Sequence, residues 1–494
     1  NSFNTHKDHG LGHGWDHNWN AYITEYSEAD HGLLLRRPED AAPHIVAAQA
    51  LLQLELSPAD DAKTWALKSL VADWATDQLD NNALAVHIHG KVLVYTRMPD
   101  GSFLPPPGVT TDLVQTADGY ELRGRFGTVQ TFAPVNGTHR LTAWQDVDGK
   151  QLTVSYSGDK PSVITDAYGR SFTLAYTNDR LTTITDSTGR SVSYTYSPDG
   201  DQTAFTNADG QTNTLFYDDK HRIIELRDPD DRIITQNFYN DSNRVYRQLS
   251  EGSKEWLFHY SDYQMIERDP TQAEKRYEYN ERKQLLAFTD AEGNRSSTTF
   301  NGHERPRQTT DPRTVPTDYQ YDNHLNLLSQ TVSLDDGHDV STSFAYDPQH
   351  RMTSQTDPEG NTATHTYNAQ HRRTRSTNPL GEAVTYTYTP DGQLHTTTET
   401  DAAGTTHTTT YSYDEYGNQN RITYPDGTTE SFTFNARGQR TSQTDRRGHT
   451  TTYTLDNRGN VIATPFPLEG ITPAATYDYA GNPLTATGPR GYTT

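Results

Sequence analysis

The sequence has no cysteine and only three methionines among 494 residues. That excludes a disulfide framework, thiolate chemistry and any cysteine-ligated metal. Apolar residues are scarce, at 32%, well below the roughly 45–50% of ordinary globular domains. The mean hydropathy is -0.89. No apolar run approaches the roughly 20 residues that a membrane-spanning helix needs. The opening NSFNTHKDHG lacks the pattern of a signal peptide. Positive charge is in deficit, with 42 Lys and Arg against 65 Asp and Glu, for a net charge of -23. This argues against phosphate backbones and anionic lipid as partners and reads as a solvated surface. Such a composition leans towards disorder. The 30 tyrosines and an aromatic content of 10% argue instead for an ordered structure with little conventional core. Length alone suggests about three domains.

What is present is a repeat. YDPQHRMTSQTDPEGNTATHTYN, residues 346–368, opens on Tyr346-Asp347 and closes on Tyr367-Asn368. Related pairs stand at Tyr217-Asp218, Tyr239-Asn240, Tyr279-Asn280, Tyr321-Asp322, Tyr413-Asp414 and Tyr477-Asp478, with looser copies between them. Most successive pairs are 19 to 22 residues apart, and two gaps are 25. Glycines keep the same beat, among them Gly169, Gly189, Gly210, Gly293, Gly360, Gly381, Gly427 and Gly448, several of them in Asp-x-x-Gly.

One unit can be read physically. In SVSYTYSPDG, residues 191–200, Val192, Tyr194 and Tyr196 alternate with Ser and Thr, which is the period of a strand with one aromatic face. Pro-Asp-Gly then supplies turn chemistry. A second short segment rich in Thr and Arg follows, and Asp-x-x-Gly turns the chain again. Each unit is therefore a hairpin of about 20 residues. A lone hairpin is marginal in water, so stability must come from stacked neighbours. Thr favours strands and tolerates water. The expectation is a long, curling antiparallel sheet, wet on both faces, that encloses a wet space. A propeller or stacked sandwiches are the compact alternative.

The first 140 residues differ. Ile45, Ala48, Leu51 and Leu52, then Leu67, Leu70, Val71 and Trp74, fall at helical spacings. Ser57-Pro58 suits a helix start. A helical hairpin over about 39–85, acting as a plug or brace, is expected before β segments over about 86–140, with repeats from 141 to 494.

Candidate chemistry is thin. His6, His9, His13 and His17 would share a helical face, but Gly10, Gly12 and Gly14 argue against a helix there. They read as loop histidines near Trp15 and Trp19. The Asp-Pro pairs at 228, 269, 311, 347 and 357 sit at turn positions. Asn136-Gly137-Thr138 fits a glycosylation rule but reads as a turn. Carboxylate pairs such as Asp60-Asp61 and Asp335-Asp336 arise readily among 65 acids. The tyrosine faces could stack sugars, but their recurrence suits scaffold ladders better. There is no phosphate loop, serine nucleophile elbow or zinc motif. No catalytic residue, metal or cofactor is expected.

These residues resemble the Rhs/YD-repeat family, whose signature is Tyr-Asp, two residues, Gly, a strand and an Asp-Pro-x-Gly-like turn. YDEYGNQNRITYPDG at 413–427 and YDYAGNPLTATGPRG at 477–491 match it. GLGHGWDHNWN, residues 10–20, is similar to that family's Gly-x-Gly-Trp entry motif, here Gly12, Gly14 and Trp15. The resemblance implies an all-β fold: a spiralling hairpin sheet of about 16–17 repeats forming a hollow shell, with a small helical insertion near the N-terminus. Bacterial Rhs effectors, the cocoon components of Tc insecticidal toxins and animal teneurins share the repeat. In many bacterial members the shell encloses a C-terminal toxin, and a segment after the repeats frees it by aspartyl autoproteolysis. This sequence stops at GPRGYTT, inside a repeat, so toxin and protease chemistry are expected outside it. The implied protein is a secreted or cell-surface bacterial polymorphic toxin used in competition, of the kind exported by type VI secretion. Its partners would be the enclosed toxin and a secretion-system component or other chain pairing with open sheet edges. The alternative is a cell-surface adhesion protein that recognises carbohydrate.

Overall fold

A computed structural model describes residues 10–26, 62, 82–88, 90–98, 100–334, 337–464, 474–478 and 481–487. Of its strands, 37 belong to one antiparallel sheet. The chain divides into two compact units. The first comprises residues 1–2 and 16–162, and the second comprises 3–15 and 163–494.

In the first unit, strand Tyr22–Tyr26 pairs with Ala83–Ile88 on one side and with Thr138–Gln145 on the other. Ala83–Ile88 continues to Lys91–Arg97 and then to Phe103–Leu104. Asp112–Thr116, Gly119–Arg123 and Val129–Val135 lead back to Thr138–Gln145. The inward side chains make one apolar core that includes Ile23, Leu84, Val86, Tyr95, Phe132 and Leu141. Asn136-Gly137, both at positive φ, form the two-residue hairpin turn between Val135 and Thr138, as the Asn-Gly pair favours.

The helical hairpin over about 39–85 lies almost entirely outside the described residues. Where it was expected to end, Ala83 already begins a strand. Ala83, Leu84, Ala85 and Val86 are all buried, and such a continuous apolar run cannot be told from a helix by periodicity alone. The first unit runs on to residue 162, and the strand Thr138–Gln145 belongs to it because it hydrogen-bonds with Tyr22–Tyr26 and gives Leu141 to the first core.

The second unit is a run of antiparallel strands, each paired with the next from Val163 to Thr452. In most repeats the register slips just before the repeat aromatic; the hairpin of Tyr260 keeps its register, and one further slip falls before Arg227. Ala345 faces Ser354 but Tyr346 faces Met352, which leaves Thr353 as an extra residue. The same slip precedes Tyr217, Tyr321, Tyr367, Tyr388 and Tyr413. A bulge bends and twists its strand, so bulges recurring in most hairpins accumulate into curvature.

The consequence is that the second unit meets itself. Arg437 donates to the Thr188 hydroxyl across 249 residues of sequence. Arg458 pairs with Asp209, and a Cβ on Gly417 would collide with the Tyr168 hydroxyl. The turns of the glycine edge, 166–211, thus meet the turns of the Tyr-Asp edge, 414–460, one winding later.

Candidate functional site: the Tyr-Asp edge and the entry segment

Both edges of the hairpins use one five-residue turn. At Asp347, the backbone N–H groups of Gln349 and Arg351 donate to Oδ1, each at 3.0 Å. The Asp347 N–H donates to the Arg351 carbonyl, and the His350 N–H donates back to the Asp347 carbonyl. Asp357 on the opposite edge shows the same backbone pair with Asn361 and Gly360. Asp218, Asp322, Asp414 and Asp478 repeat the pattern. So do the Asp-Pro residues Asp228, Asp269 and Asp311. An Asp side chain that mimics a backbone acceptor explains why Asp and Asn open most of these turns, although Ser197, Thr389, Tyr424 and Leu334 open others.

The fourth turn position carries positive φ. Gly169, Gly189, Gly210, Gly293, Gly360, Gly381, Gly427 and Gly448 fill it with φ from 79° to 88° and open space about the absent Cβ. Glycine is needed there for the sign of φ, not for close approach. Elsewhere His221, Thr314, Leu325, His350 and His371 adopt φ of 60° to 68°. These substitutions are why the glycine beat is broken between Gly210 and Gly381.

The repeat tyrosine caps the bulge behind it. The Tyr367 hydroxyl donates to the Met352 carbonyl at 2.7 Å, and Met352 is the residue facing Tyr346 at the slip. Tyr346 does the same to Leu327, Tyr413 to Leu394 and Tyr477 to Val461. A bulge interrupts the ladder, and a carbonyl it orphans needs a donor. That requirement accounts for the tyrosine period. The residue after the positive-φ position adds a third link. Arg351 binds Asp347 Oδ2 at 2.7 Å and lies 5.1 Å over the Tyr367 ring. Arg222 repeats this between Asp218 and Tyr239. Burial alone would raise the Asp347 and Asp218 carboxyls, but the Arg351 and Arg222 hydrogen bonds outweigh it and hold both below the ordinary value.

The entry segment runs along the Tyr-Asp edge of the first winding. The Leu181 N–H donates to the Gly10 carbonyl at 2.7 Å. Gly12 has φ of 92°, and a Cβ there would lie 2.9 Å from Gln202 N and 3.0 Å from the Gly200 carbonyl. Gly14 also has positive φ. The Trp15 indole N–H donates to the Tyr217 hydroxyl at 3.0 Å, and burial pushes that phenol up to about 12 despite the lowering effect of the indole bond. His13 is brought against His221, with ring centroids 3.9 Å apart, and the His221 Nδ1 lies 3.0 Å from Asp201. Sequence reasoning treated His13 only beside its near neighbours and missed this grouping. Its partners come from two turns about 190 and 210 residues away, and no local signal joins them. His6, His9, Asp60-Asp61, Asp335-Asp336 and Gly491 lie outside the described residues.

The Teneurin YD-shell family matches residues 272–399, and the RHS repeat matches 395–429 and 434–464. Residues 272–464 therefore carry Rhs/YD repeats. No curated protein sequence matches it. Among solved structures it is similar to TcdB2-TccC3-TEV, at 13% identity and a TM-score of 0.47, over 82% of this chain and 26% of that one. It is also similar to the Photorhabdus luminescens Tc holotoxin pore, at 11% identity and a TM-score of 0.45, over 82% of this chain and 27% of that one. This YD-repeat chain thus spans about a quarter of the length of those structures. Among its described residues no helix is long and apolar enough to cross a membrane.

Proposed function

We propose that this YD-repeat chain is part of the wall of a β-shell that encloses and protects a toxin segment lying outside it, within a secreted Rhs-type polymorphic toxin. The observation that carries this reading is the winding of the second unit. A sheet whose opposite edges meet 249 residues apart, and whose strands bury few large apolar side chains on either face, is built as a wall and not as a layer on a packed core. The match to the YD-shell repeat supports it. The chain itself acts as a scaffold and not as an enzyme, because its ordered polar groups are spent on turns and bulges. Its partners are the enclosed segment and a component of the export machinery.

The test is expression of the complete reading frame in bacteria, with a denaturing gel and a growth assay. The expected outcome is a discrete C-terminal fragment split from a large stable piece, and growth arrest when that fragment is freed. One intact band with unaffected growth overturns the reading. A second reading, adhesion to carbohydrate at a cell surface, rests on exposed rings such as Trp144, Phe172, Tyr246 and Tyr416. Glycan binding that falls when these are changed to alanine would favour it.

A further inference from the structure

We infer that His13, Asp201 and His221 form a binding site for a divalent transition-metal ion of the zinc type, which fastens the entry segment to the first Tyr-Asp turns. One ligand atom from each of the three lies within 4.8 Å of the others. Imidazole and carboxylate suit zinc, and three protein ligands with a fourth position for water make a familiar zinc set.

The protonation pattern points the same way. The His13 Nε2 lies 3.3 Å from the Asp199 carbonyl. A carbonyl only accepts, so Nε2 carries the proton and the neutral ring keeps its lone pair on Nδ1. That Nδ1 is buried and has no hydrogen-bond partner. A metal-bound histidine characteristically donates its other N–H to a carbonyl or carboxylate, which is the arrangement His13 already has. The His221 Nδ1 stands 3.0 and 3.1 Å from the two Asp201 oxygens. Bonds of about 2.0–2.1 Å set the ligands of a tetrahedral zinc roughly 3.3 Å apart; the His221–Asp201 pair already stands near that spacing, and the His13 ring must swing in from its stacked contact with His221 to complete the set. On binding, the proton shared between His221 Nδ1 and Asp201 moves to His221 Nε2, and both freed atoms turn to the metal.

The placement gives the ion a role. Asp201 is buried and closes one Tyr-Asp turn, His221 holds the positive-φ position of the next, and His13 lies on the segment that crosses them. On the second winding these turns meet the glycine edge, whereas the first winding has the entry segment in that place. A metal there clamps the start of the spiral.

The test titrates the purified full chain with zinc chloride by calorimetry, then repeats it with His13→Asn and His221→Asn. Asparagine tolerates positive φ, so the second change preserves the turn. One tight equivalent, weakened more than tenfold by each substitution, is the expected result. No zinc binding, or binding unchanged by both substitutions, overturns the inference, because the 20 histidines offer other places. Should either variant misfold, acylation of histidines in the unaltered protein, read by mass spectrometry, decides. Zinc must then shield both His13 and His221, and shielding elsewhere or nowhere overturns the site.

Discussion

The two units answer the same problem in different ways. The first, about 90 described residues long, holds fifteen of the buried apolar side chains, and the second holds nine in more than three times the length. In the first, Phe132, Leu84, Val86 and Tyr95 are almost fully buried in one cluster. In the second, buried residues such as Leu174, Leu215, Ala287 and Phe432 lie scattered along the sheet, and the repeats add turns opened mostly by Asp or Asn, with Arg bridges and Tyr caps in several of them. One unit concentrates its stability in a core that fails as a whole. The other distributes it over nearest-neighbour links, so that damage stays local.

The largest expected effect comes from the core. Phe132→Ala should cost about 3–5 kcal/mol, and denaturant unfolding should show the first unit lost as a block while the repeats keep their amide protection. Loss of protection across both units would break the comparison. Acid should act in the opposite sense, on the repeats first. Burial alone would raise the Asp186 carboxyl, but bonds from the Thr188 hydroxyl, the Arg190 guanidinium and their backbone N–H groups bring it to about 2 from 3.8. A depressed carboxylate stabilises fully above its unfolded value and loses that contribution as pH falls towards the folded one. Asp218, Asp228, Asp347 and Asp414 shift the same way. Circular dichroism between about pH 4 and 2 should show the repeats losing structure before the core unit does.

A single cap is worth less. Tyr367→Phe removes the hydroxyl that serves the Met352 carbonyl, at a cost of about 1 kcal/mol. Hydrogen exchange should report it only in the hairpins around 346–377, and an effect reaching the first unit would contradict local linkage. The smallest change should be a gain. Thr314 is exposed and β-branched at φ of 68°, a conformation costing roughly 1–2 kcal/mol. Thr314→Gly relieves it but loosens the unfolded chain, so a net gain of about 0.5 kcal/mol is expected in thermal unfolding.

Much of the second unit was legible before any coordinates. The Tyr-Asp pairs mark the hairpin ends, and the strand period at 191–196 is a strand in the structure. The glycine beat was only half of its signal, because non-glycine residues, from His221 through Asp231, Asn243, Gln272, Lys283, Glu304, Thr314, Leu325 and His350 to His371, hold the same backbone sign. The strand from Ala83 begins about three residues before the expected β segments, because its buried first four residues show no alternation to read. The grouping of His13 with Asp201 and His221 had no local signature at all.

What the sequence determined by itself is the local grammar: where the turns fall, which residue opens each, and that stability must come from neighbours, since five-residue strands of Thr, Ser and Tyr cannot bury a core alone. Only the tertiary structure decided what the grammar builds. The bulge before most of the repeat tyrosines is a matter of register, which depends on two strands at once. Its bend becomes visible only when it has been repeated until Arg437 reaches Thr188. The position of His13 depends on that curvature, because the turns it meets are brought side by side by the sheet and not by the chain.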